Sequence, residues 1–307
     1  MVSLDFRRAF DTIEKESIVQ ALKKFNFGPY FINIIMVIMK NTESSVQNGG
    51  WISGFFKTER GIRQGCSVSP ILFIIVSEIL SIKIRENNNI RGLQLPTEDT
   101  KNKCLKILSY ADDMTLFANK KDDVLTMLEE VEKFGIFSGL KSNRNKSNGM
   151  WLGANKMSKE KPGDINWVEN GQYIKILGIY FCANKEASLI DKNWVGQIDK
   201  IKSLIKQWHK RNLSLYGKIV IAKTFLLSQI THIIQSLALP ETVVDEIDTI
   251  IFKFLWQKHY SEKKANEKLK RSILCSDISD GGLKMISVKT QHKVFLMKWM
   301  YKAVSQK

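Results

Sequence analysis

Two adjacent carboxylates lie inside an apolar stretch, Leu105-Lys106-Ile107-Leu108-Ser109-Tyr110-Ala111-Asp112-Asp113-Met114-Thr115-Leu116-Phe117. The apolar residues on both sides predict two strands, over 104–109 and 114–118, joined by a tight acidic turn. Turn chemistry alone explains this composition poorly, because tyrosine, alanine and methionine are not typical turn residues. Adjacent anions repel each other, and a divalent cation would relieve that repulsion. The stretch therefore predicts a candidate metal site at a hairpin tip, with a solvated turn as the alternative.

A further carboxylate occupies the segment Leu4-Asp5-Phe6-Arg7-Arg8-Ala9-Phe10-Asp11-Thr12-Ile13. Its apolar start predicts a buried strand over 2–6 that carries Asp5 at its end. The run Asp11-Thr12-Ile13-Glu14 matches a capping box, which predicts a helix to about Lys24 with the first aspartate as its N-cap. An aspartate in a strand-to-helix loop is common, so an ordinary loop explains this segment equally well when it is taken alone.

A glycine-containing loop lies between these two segments, at Gly61-Ile62-Arg63-Gln64-Gly65-Cys66-Ser67-Val68-Ser69-Pro70. Its glycines allow a ligand to approach the backbone closely, and the Gln64 amide can both donate and accept hydrogen bonds. Pro70 predicts the first turn of a long apolar helix that ends near Asn87. The alternative is a plain loop followed by a helix start.

The pattern of predicted elements changes near residue 182. Before this point strands and helices alternate; after it, long helices with lysines between apolar positions dominate. The additional predicted helices cover 30–40, 122–137, 189–212, 215–237, 241–256 and 289–304. The additional predicted strands cover 44–57 (around a Gly49-Gly50 turn), 148–152 and 173–181. The basic stretch 263–271 is predicted to be a loop.

Charge follows the same division. The 307 residues carry a net charge of +16, with 25 Lys and Arg against 20 Asp and Glu in residues 1–182, and 22 against 11 in residues 183–307. A chain this basic favours a polyanionic partner, either nucleic acid or an acidic membrane surface. Residues 183–307 are therefore predicted to bind most of that partner's negative charge.

Targeting and redox features are few. The four cysteines are far apart and form no zinc pattern with the four histidines, so reduced intracellular thiols are expected. Met1 to Asp5 does not resemble a signal peptide, and the longest apolar run, Ile71 to Val76, is too short to cross a bilayer. An intracellular location, in the nucleus or cytoplasm, is therefore expected, without a membrane partner.

The order of these motifs resembles that of reverse transcriptases. The aspartate-bearing strand, the Gln-Gly loop and Tyr-x-Asp-Asp are followed by Ser138-Gly139-Leu140-Lys141-Ser142-Asn143-x-x-Lys146-Ser147 and by Lys175-Ile176-Leu177-Gly178-Ile179. The Trp-rich helices and Gly281-Gly282-Leu283-Lys284 resemble the LINE-type (non-LTR) retrotransposon enzymes. Group II intron or retron enzymes share several of these motifs and remain an alternative, as does an inactive nucleic-acid-binding remnant.

This resemblance implies an α+β fold: a palm over 1–182, with an antiparallel sheet and packed helices, followed by a basic all-α thumb and connection region over 183–307. It implies RNA-directed DNA synthesis, with an RNA template, a DNA primer, their hybrid and deoxynucleoside triphosphates as partners; it does not identify protein partners. Two Mg²⁺ ions, replaceable by Mn²⁺, are expected as cofactors.

The resemblance also implies roles for single residues. The catalytic and metal-binding carboxylates are expected to be Asp5, Asp112 and Asp113, while Asp11 is assigned to helix capping. The remaining implied residues share contact with nucleotide, template or primer: Phe10 as the steric gate against a ribose 2′-hydroxyl, Gln64 and Gly65 beside the nucleotide and template pair, Arg63 and Lys146 near the triphosphate, Tyr110 against the primer end, and Leu177 and Gly178 in the primer grip.

The family also has a fingers region and an endonuclease, whose motifs the sequence does not show. The palm is therefore expected to be N-terminally truncated, with weak primer extension and an uncovered apolar surface near Ile34, Ile35 and Trp51.

Overall fold

A computed structural model describes residues 1–95, 104–183, 187–237, 239–258 and 267–305, without the side chains of 187–191 and 303. The chain divides into two compact units, Met1–Asn184 and Lys185–Lys307. The first unit combines strands and helices, and the described part of the second is helical. An α+β unit followed by an all-α unit agrees with the predicted fold class.

The strands all belong to the first unit as far as the described residues go. They are β1 (Val2–Leu4), β2 (Glu43–Ser44), β3 (Gln47–Asn48), β4 (Trp51–Ile52), β5 (Phe56–Lys57), β6 (Leu93–Gln94), β7 (Cys104–Leu105), β8 (Ile107–Tyr110), β9 (Asp113–Leu116), β10 (Asn148–Gly149), β11 (Asn166–Trp167), β12 (Tyr173–Ile176) and β13 (Ile179–Cys182).

The α-helices run through both units. They are α1 (Ala9–Thr12), α2 (Lys15–Lys24), α3 (Pro29–Met39), α4 (Ser69–Glu86), α5 (Lys121–Ser138), α6 (Ala187–Trp208), α7 (Leu215–Ile221), α8 (Ser228–Ser236), α9 (Glu241–Trp256), α10 (Arg271–Cys275) and α11 (Val288–Ser305).

A five-stranded sheet organises the first unit, in the order β11-β10-β1-β9-β8. Strand β1 is central and runs antiparallel to both β9 and β10, while β11 joins β10 in parallel. Val2 and Leu4 are buried and Ser3 between them is only half-buried, so alternation turns the apolar face of β1 towards the core. Helix α4 packs against α2, α5 and β8 and completes that core.

A separate core stabilises the second unit. Most of its buried side chains come from α6, α7, α8 and α9, with Trp194, Ile201, Ile230 and Phe254 among the most deeply buried. The buried amine of Lys218 donates to the carbonyls of Leu255 and Gln257 at the end of α9, and burial lowers its pKa. This amine satisfies carbonyls that a helix terminus leaves without partners.

The predicted helix after Asp5 is wrong at its start. A short helix, α1, precedes a break, and α2 begins only at Lys15. The N-cap positions are Arg8 and Glu14, so Asp11 is not an N-cap and the predicted capping box does not form. Backbone bonds to the neighbouring loop, described below, take the place of a continuous helix.

Other expectations need smaller corrections. The helix predicted over 215–237 is interrupted by a π-helical segment, Ala222–Leu226, and the strand predicted over 104–109 is divided into β7 and β8. Strand β11 was not predicted. Most of the basic stretch 263–271 lies outside the described residues, although α10 begins at its end.

The expected apolar surface is confirmed only in part. Ile34 and Trp51 are exposed, whereas Ile35 is buried in the core of the first unit. The three side chains do not form one exposed set, because Ile35 lies on the inner face of α3.

Two further observations concern thiols and membranes. All four cysteines are free thiols. In the described part of the chain no single helix has both the length and the apolar character needed to cross a bilayer, although the bent pair Leu215–Leu226 and Ser228–Ser236 reaches that length and composition.

Candidate active site

Strand pairing brings the three predicted carboxylates to one edge of the sheet. Leu4 pairs with Met114 across β1 and β9, and continuing this register places Asp5 opposite Asp113. Residues directly opposite each other in an antiparallel pair share a face. Asp112 is in the two-residue turn of the hairpin, where Tyr110 pairs with Asp113. The acidic hairpin predicted from the sequence is thus confirmed.

The carboxylates influence one another electrostatically. Burial is the largest cause that raises the pKa of Asp113, followed by the charges of Asp112 and then Asp5. Neighbouring anions raise an acid's pKa because each one disfavours ionisation of the next. A cation between them would reverse this penalty.

The donor chemistry suits a hard divalent cation, since Mg²⁺ prefers carboxylate oxygens. Among the residues that the structure describes, however, no group of three or more His, Cys, Asp or Glu side chains is arranged as a finished metal site. The carboxylates share an edge without forming a closed set of ligands, so the metal-binding assignment stays a prediction.

The hairpin turn is strained at one residue. Ala111 has a φ of 53°, in the left-handed region that favours glycine. A residue held in such a conformation costs roughly 1–3 kcal/mol and is found most often at functional sites. The strain belongs to the same turn that presents Asp112.

Phe10 lies on α1, where it is half-buried. Its ring stacks on that of Phe73 in α4, with the ring centroids 4.7 Å apart. The Phe10 carbonyl accepts a hydrogen bond from the Ile62 amide at 2.8 Å. Packing and backbone bonding therefore fix the ring, as a steric gate requires.

The glycine-containing loop is fastened to the break between α1 and α2. The amide of Gly61 donates to the carbonyl of Ile13 at 2.8 Å, next to the bond between Ile62 and Phe10. Gly61 has a φ of 84°, and a Cβ atom there would lie 2.8 Å from the Asp11 carbonyl oxygen. Only glycine fits this approach without a shift of the backbone.

Asp11 contacts this loop and not a helix terminus. Its carboxylate accepts a hydrogen bond from Nε2 of Gln64 at 3.3 Å. Both residues line a cavity of about 670 Å³ together with Arg63, whose guanidinium donates to the carbonyl of Glu43. Asp11 was predicted to cap a helix. In the structure its carboxylate instead accepts a hydrogen bond from Gln64.

Cys66 also lines this cavity. Amide groups of Val68 and Ser69, at the start of α4, lower the pKa of its thiol. Sequence reasoning did not single out this cysteine, because its environment depends on the turn into α4.

The segment around Lys146 bonds to the backbone of Asp5. The Asn143 amide donates to the Asp5 carbonyl at 2.6 Å, and the Asp5 amide donates to Oγ of Ser147 at 3.1 Å. Lys146 is exposed on the turn between them. These two contacts were not predicted, although Ser147 is the last residue of the motif that the sequence shows at 138–147.

Leu177 and Gly178 form the turn of a hairpin of their own. Ile176 pairs with Ile179, and the two turn residues have φ values of 47° and 86°. This β12–β13 sheet is separate from the five-stranded sheet that carries the carboxylates. The predicted hairpin is confirmed, while its role as a primer grip stays a prediction.

Comparison with known protein families gives an independent result. The profile described as "Reverse transcriptase (RNA-dependent DNA polymerase)" matches residues 1–181, more than half of the chain. The chain belongs to the reverse transcriptase family. The predicted palm and helical thumb agree with the α+β unit and the helices that follow it.

The relatives of this reverse transcriptase include retrotransposon proteins. It is 24% identical over 299 residues to the transposon TX1 uncharacterized 149 kDa protein of Xenopus laevis, covering 96% of this chain and 22% of the relative. It is 24% identical over 308 residues to the Pol polyprotein of retrotransposable element R2 from Popillia japonica, covering 97% of this chain and 48% of the relative. The resemblance to non-LTR enzymes is confirmed, and the chain spans less than half of either protein.

A solved structure is also similar. The telomerase of Candida albicans, in complex with a TWJ fragment of telomeric RNA, aligns with 84% of this chain and 44% of its own chain. The sequence identity is 12% and the TM-score is 0.39.

Proposed function

We propose that this chain is the catalytic part of an RNA-directed DNA polymerase that uses two divalent metal ions. It extends the 3′-hydroxyl of a DNA primer along an RNA template and consumes deoxynucleoside triphosphates. The observation that carries the proposal is the register of β1 against β9, which sets Asp5 beside the Asp112–Asp113 turn.

Mg²⁺, or Mn²⁺ in its place, supplies charge neutralisation and a more acidic attacking hydroxyl when it is bound. Asp5 and Asp112 hold both ions in this proposal, and Asp113 is a third ligand. Their negative charges, which already disfavour one another, are stabilised by the cations. Asp113 is exposed, so its carboxylate would be accessible to a metal ion.

The surrounding residues select and place the nucleotide. Phe10, held against Phe73, excludes the ribose 2′-hydroxyl, and Gln64 with Gly65 lies beside the nucleotide and template pair. Tyr110, exposed next to the acidic turn, contacts the primer end. A phenyl ring fixed by stacking is a rigid steric boundary, which is what discrimination against one hydroxyl requires.

Two basic side chains, Arg63 and Lys146, approach the triphosphate. The uncharged turn formed by Leu177 and Gly178 supports the primer. The described lysines of α6 to α11 contribute charge for phosphate contacts along the RNA–DNA hybrid.

Single-nucleotide addition tests this proposal directly. The chain, in excess over a labelled RNA–DNA template-primer, is supplied with Mg²⁺ and the next deoxynucleotide, so that even slow addition is visible. Asp112→Asn is expected to lower the rate at least about a hundredfold, since lost metal coordination removes several kcal/mol of transition-state stabilisation. Asp122→Asn, on the exposed surface of α5, is the matched control and is expected to keep the wild-type rate. Equal rates in wild type and Asp112→Asn would contradict the proposal.

A further inference from the structure

The segment 141–147 lies alongside the first residues after β1. The Arg7 amide donates to the Lys141 carbonyl at 2.9 Å, and Phe6 forms an isolated bridge with Ser142. At Asp5 the pairing becomes a two-sided clamp, because Asn143 bonds to its carbonyl and Ser147 to its amide. The segment thus holds both the amide and the carbonyl of Asp5 by hydrogen bonds.

The hydroxyl of Ser147 both accepts and donates a hydrogen bond in this clamp. Oγ accepts from the Asp5 amide at 3.1 Å and donates to the Asn143 carbonyl at 2.9 Å. The side chain is only 1% exposed, so water does not compete for these bonds. A buried amide that loses its partner carries a desolvation penalty, which makes the hydroxyl hard to replace.

Asp5 needs such a clamp because the sheet no longer holds it. Strand β1 ends at Leu4, the last residue in the ladder with β9. The bonds to its amide and carbonyl fix the direction in which its Cα–Cβ bond points.

We propose that Ser147 is a positioning residue for Asp5: its buried hydroxyl holds the Asp5 peptide so that the carboxylate stays at the metal-binding edge. This inference rests on the proposed function, which makes Asp5 a metal ligand. In this role the Ser147 hydroxyl acts through the backbone of Asp5 and is not itself a metal ligand. Partners that orient a metal ligand commonly change metal affinity about tenfold or more when they are removed.

Ser138 offers a matched control in the same unit. Its Oγ donates to the Phe134 carbonyl at 2.7 Å and accepts from the Leu140 amide at 3.2 Å. It is as deeply buried as Ser147 and makes the same two kinds of bond, but it does not contact Asp5. Ser138→Ala therefore reproduces the general cost of deleting a buried hydroxyl.

The first measurement is amide hydrogen exchange of the metal-free full chain, followed by NMR at the Asp5 amide. Ser147→Ala is expected to accelerate exchange at Asp5 by roughly tenfold, since a lost hydrogen bond to a buried group costs about 1–3 kcal/mol. Ser138→Ala is expected to leave the Asp5 amide unchanged, while Ser147→Thr keeps a hydroxyl and restores protection. Unchanged exchange at Asp5 in Ser147→Ala overturns the inference.

The second measurement is the binding of Mn²⁺ alone, followed by electron paramagnetic resonance of the free ion. Ser147→Ala is expected to weaken Mn²⁺ binding about tenfold, and Ser138→Ala is expected to match wild type. Wild-type affinity in Ser147→Ala overturns the inference, provided that Asp5→Asn weakens binding. If Asp5→Asn binds Mn²⁺ as wild type does, the metal role in the proposed function fails instead. The exchange measurement then still decides whether Ser147 holds Asp5.

Discussion

At the residue scale, Asp113 illustrates the electrostatic cost of placing carboxylates side by side. Burial and two neighbouring carboxylates raise its pKa, so its ionised form opposes folding. The penalty is complete above the raised pKa of Asp113 in the folded chain, and it disappears once the pH falls below the usual aspartate pKa of about 3.9, where both states are protonated. A neutral side chain at this position removes the penalty.

Asp113→Asn is therefore expected to raise the melting temperature at pH 7 by about 1–3 °C in EDTA, a gain kept small by solvent screening. The gain is expected to shrink on acidification and to shrink when Mg²⁺ stabilises the wild type. Scanning fluorimetry at several pH values measures it, with Asp122→Asn as the control for a lost charge. A melting temperature at or below that of wild type at pH 7 would refute the repulsion.

Phe10 gives a second prediction at this scale. Phe10→Val replaces the ring that is stacked on Phe73 with a smaller side chain, so ribonucleotides are expected to be incorporated at least about tenfold better relative to deoxynucleotides. Phe73→Leu loosens the same stack while keeping the Phe10 ring, and it is expected to retain most of the discrimination. The readout is the ratio of single-nucleotide addition rates. An active Phe10→Val enzyme with unchanged discrimination would exclude the gate.

At the element scale, the break between α1 and α2 explains why one prediction failed. The capping-box pattern from Asp11 to Glu14 is local, whereas the carbonyls of Phe10 and Ile13 bond to amides of the distant loop at Gly61 and Ile62. Local sequence preference is outweighed by these tertiary bonds. The π-helical segment Ala222–Leu226 could not be predicted either, because the apolar pattern of the predicted helix continues through it without a break.

The acidic hairpin could be predicted, because the apolar residues on both sides of Asp112 and Asp113 are a local signal. Which side chains hold the acidic residues could not, since Ser147 and Asn143 are more than 130 positions from Asp5 in sequence. The partner of Gln64 was missed for the same reason: a local role was assigned to Asp11 before its distant contact was known.

The close approach of the loop to α1 predicts a large effect of one methyl group. Gly61→Ala would place Cβ 2.8 Å from the Asp11 carbonyl at a φ of 84°, so a loss of about 1–3 kcal/mol is expected. Gly50→Ala is the matched control, because Gly50 has a φ of 88° and open space around its Cβ position. Thermal unfolding compares the two. Equal losses would show that backbone conformation alone, and not the contact with Asp11, requires glycine at 61.

At the scale of the whole molecule, the excess positive charge is divided unevenly between the two parts of the sequence. Residues 183–307 hold 22 basic against 11 acidic side chains, while residues 1–182 are nearly balanced at 25 against 20. The carboxylates of the proposed metal site thus belong to the part of the sequence that carries less of the excess positive charge. We expect the second part to supply most phosphate contacts.

Replacing Lys200 and Lys210, both exposed in or just after α6, by glutamine tests this division. The slope of log affinity for an RNA–DNA hybrid against log salt is expected to become shallower by up to about 2, near one per lost phosphate contact. The double variant of Lys23 and Lys24 in α2 removes the same charge from the first unit and is expected to change the slope less. Equal changes in the two double variants would contradict the division.

In the proposed function Asp112 binds the metal ions of the polymerase site, and a change of ligand softness at this residue tests that role. A thiolate binds Mg²⁺ poorly but binds Mn²⁺ and Cd²⁺ better. Single-nucleotide addition by Asp112→Cys is therefore predicted to fall at least about a hundredfold in Mg²⁺ and to recover in part in Mn²⁺ or Cd²⁺, while Asp112→Asn recovers in neither. Full activity of Asp112→Cys in Mg²⁺, or an equal loss with all three ions, would contradict the account.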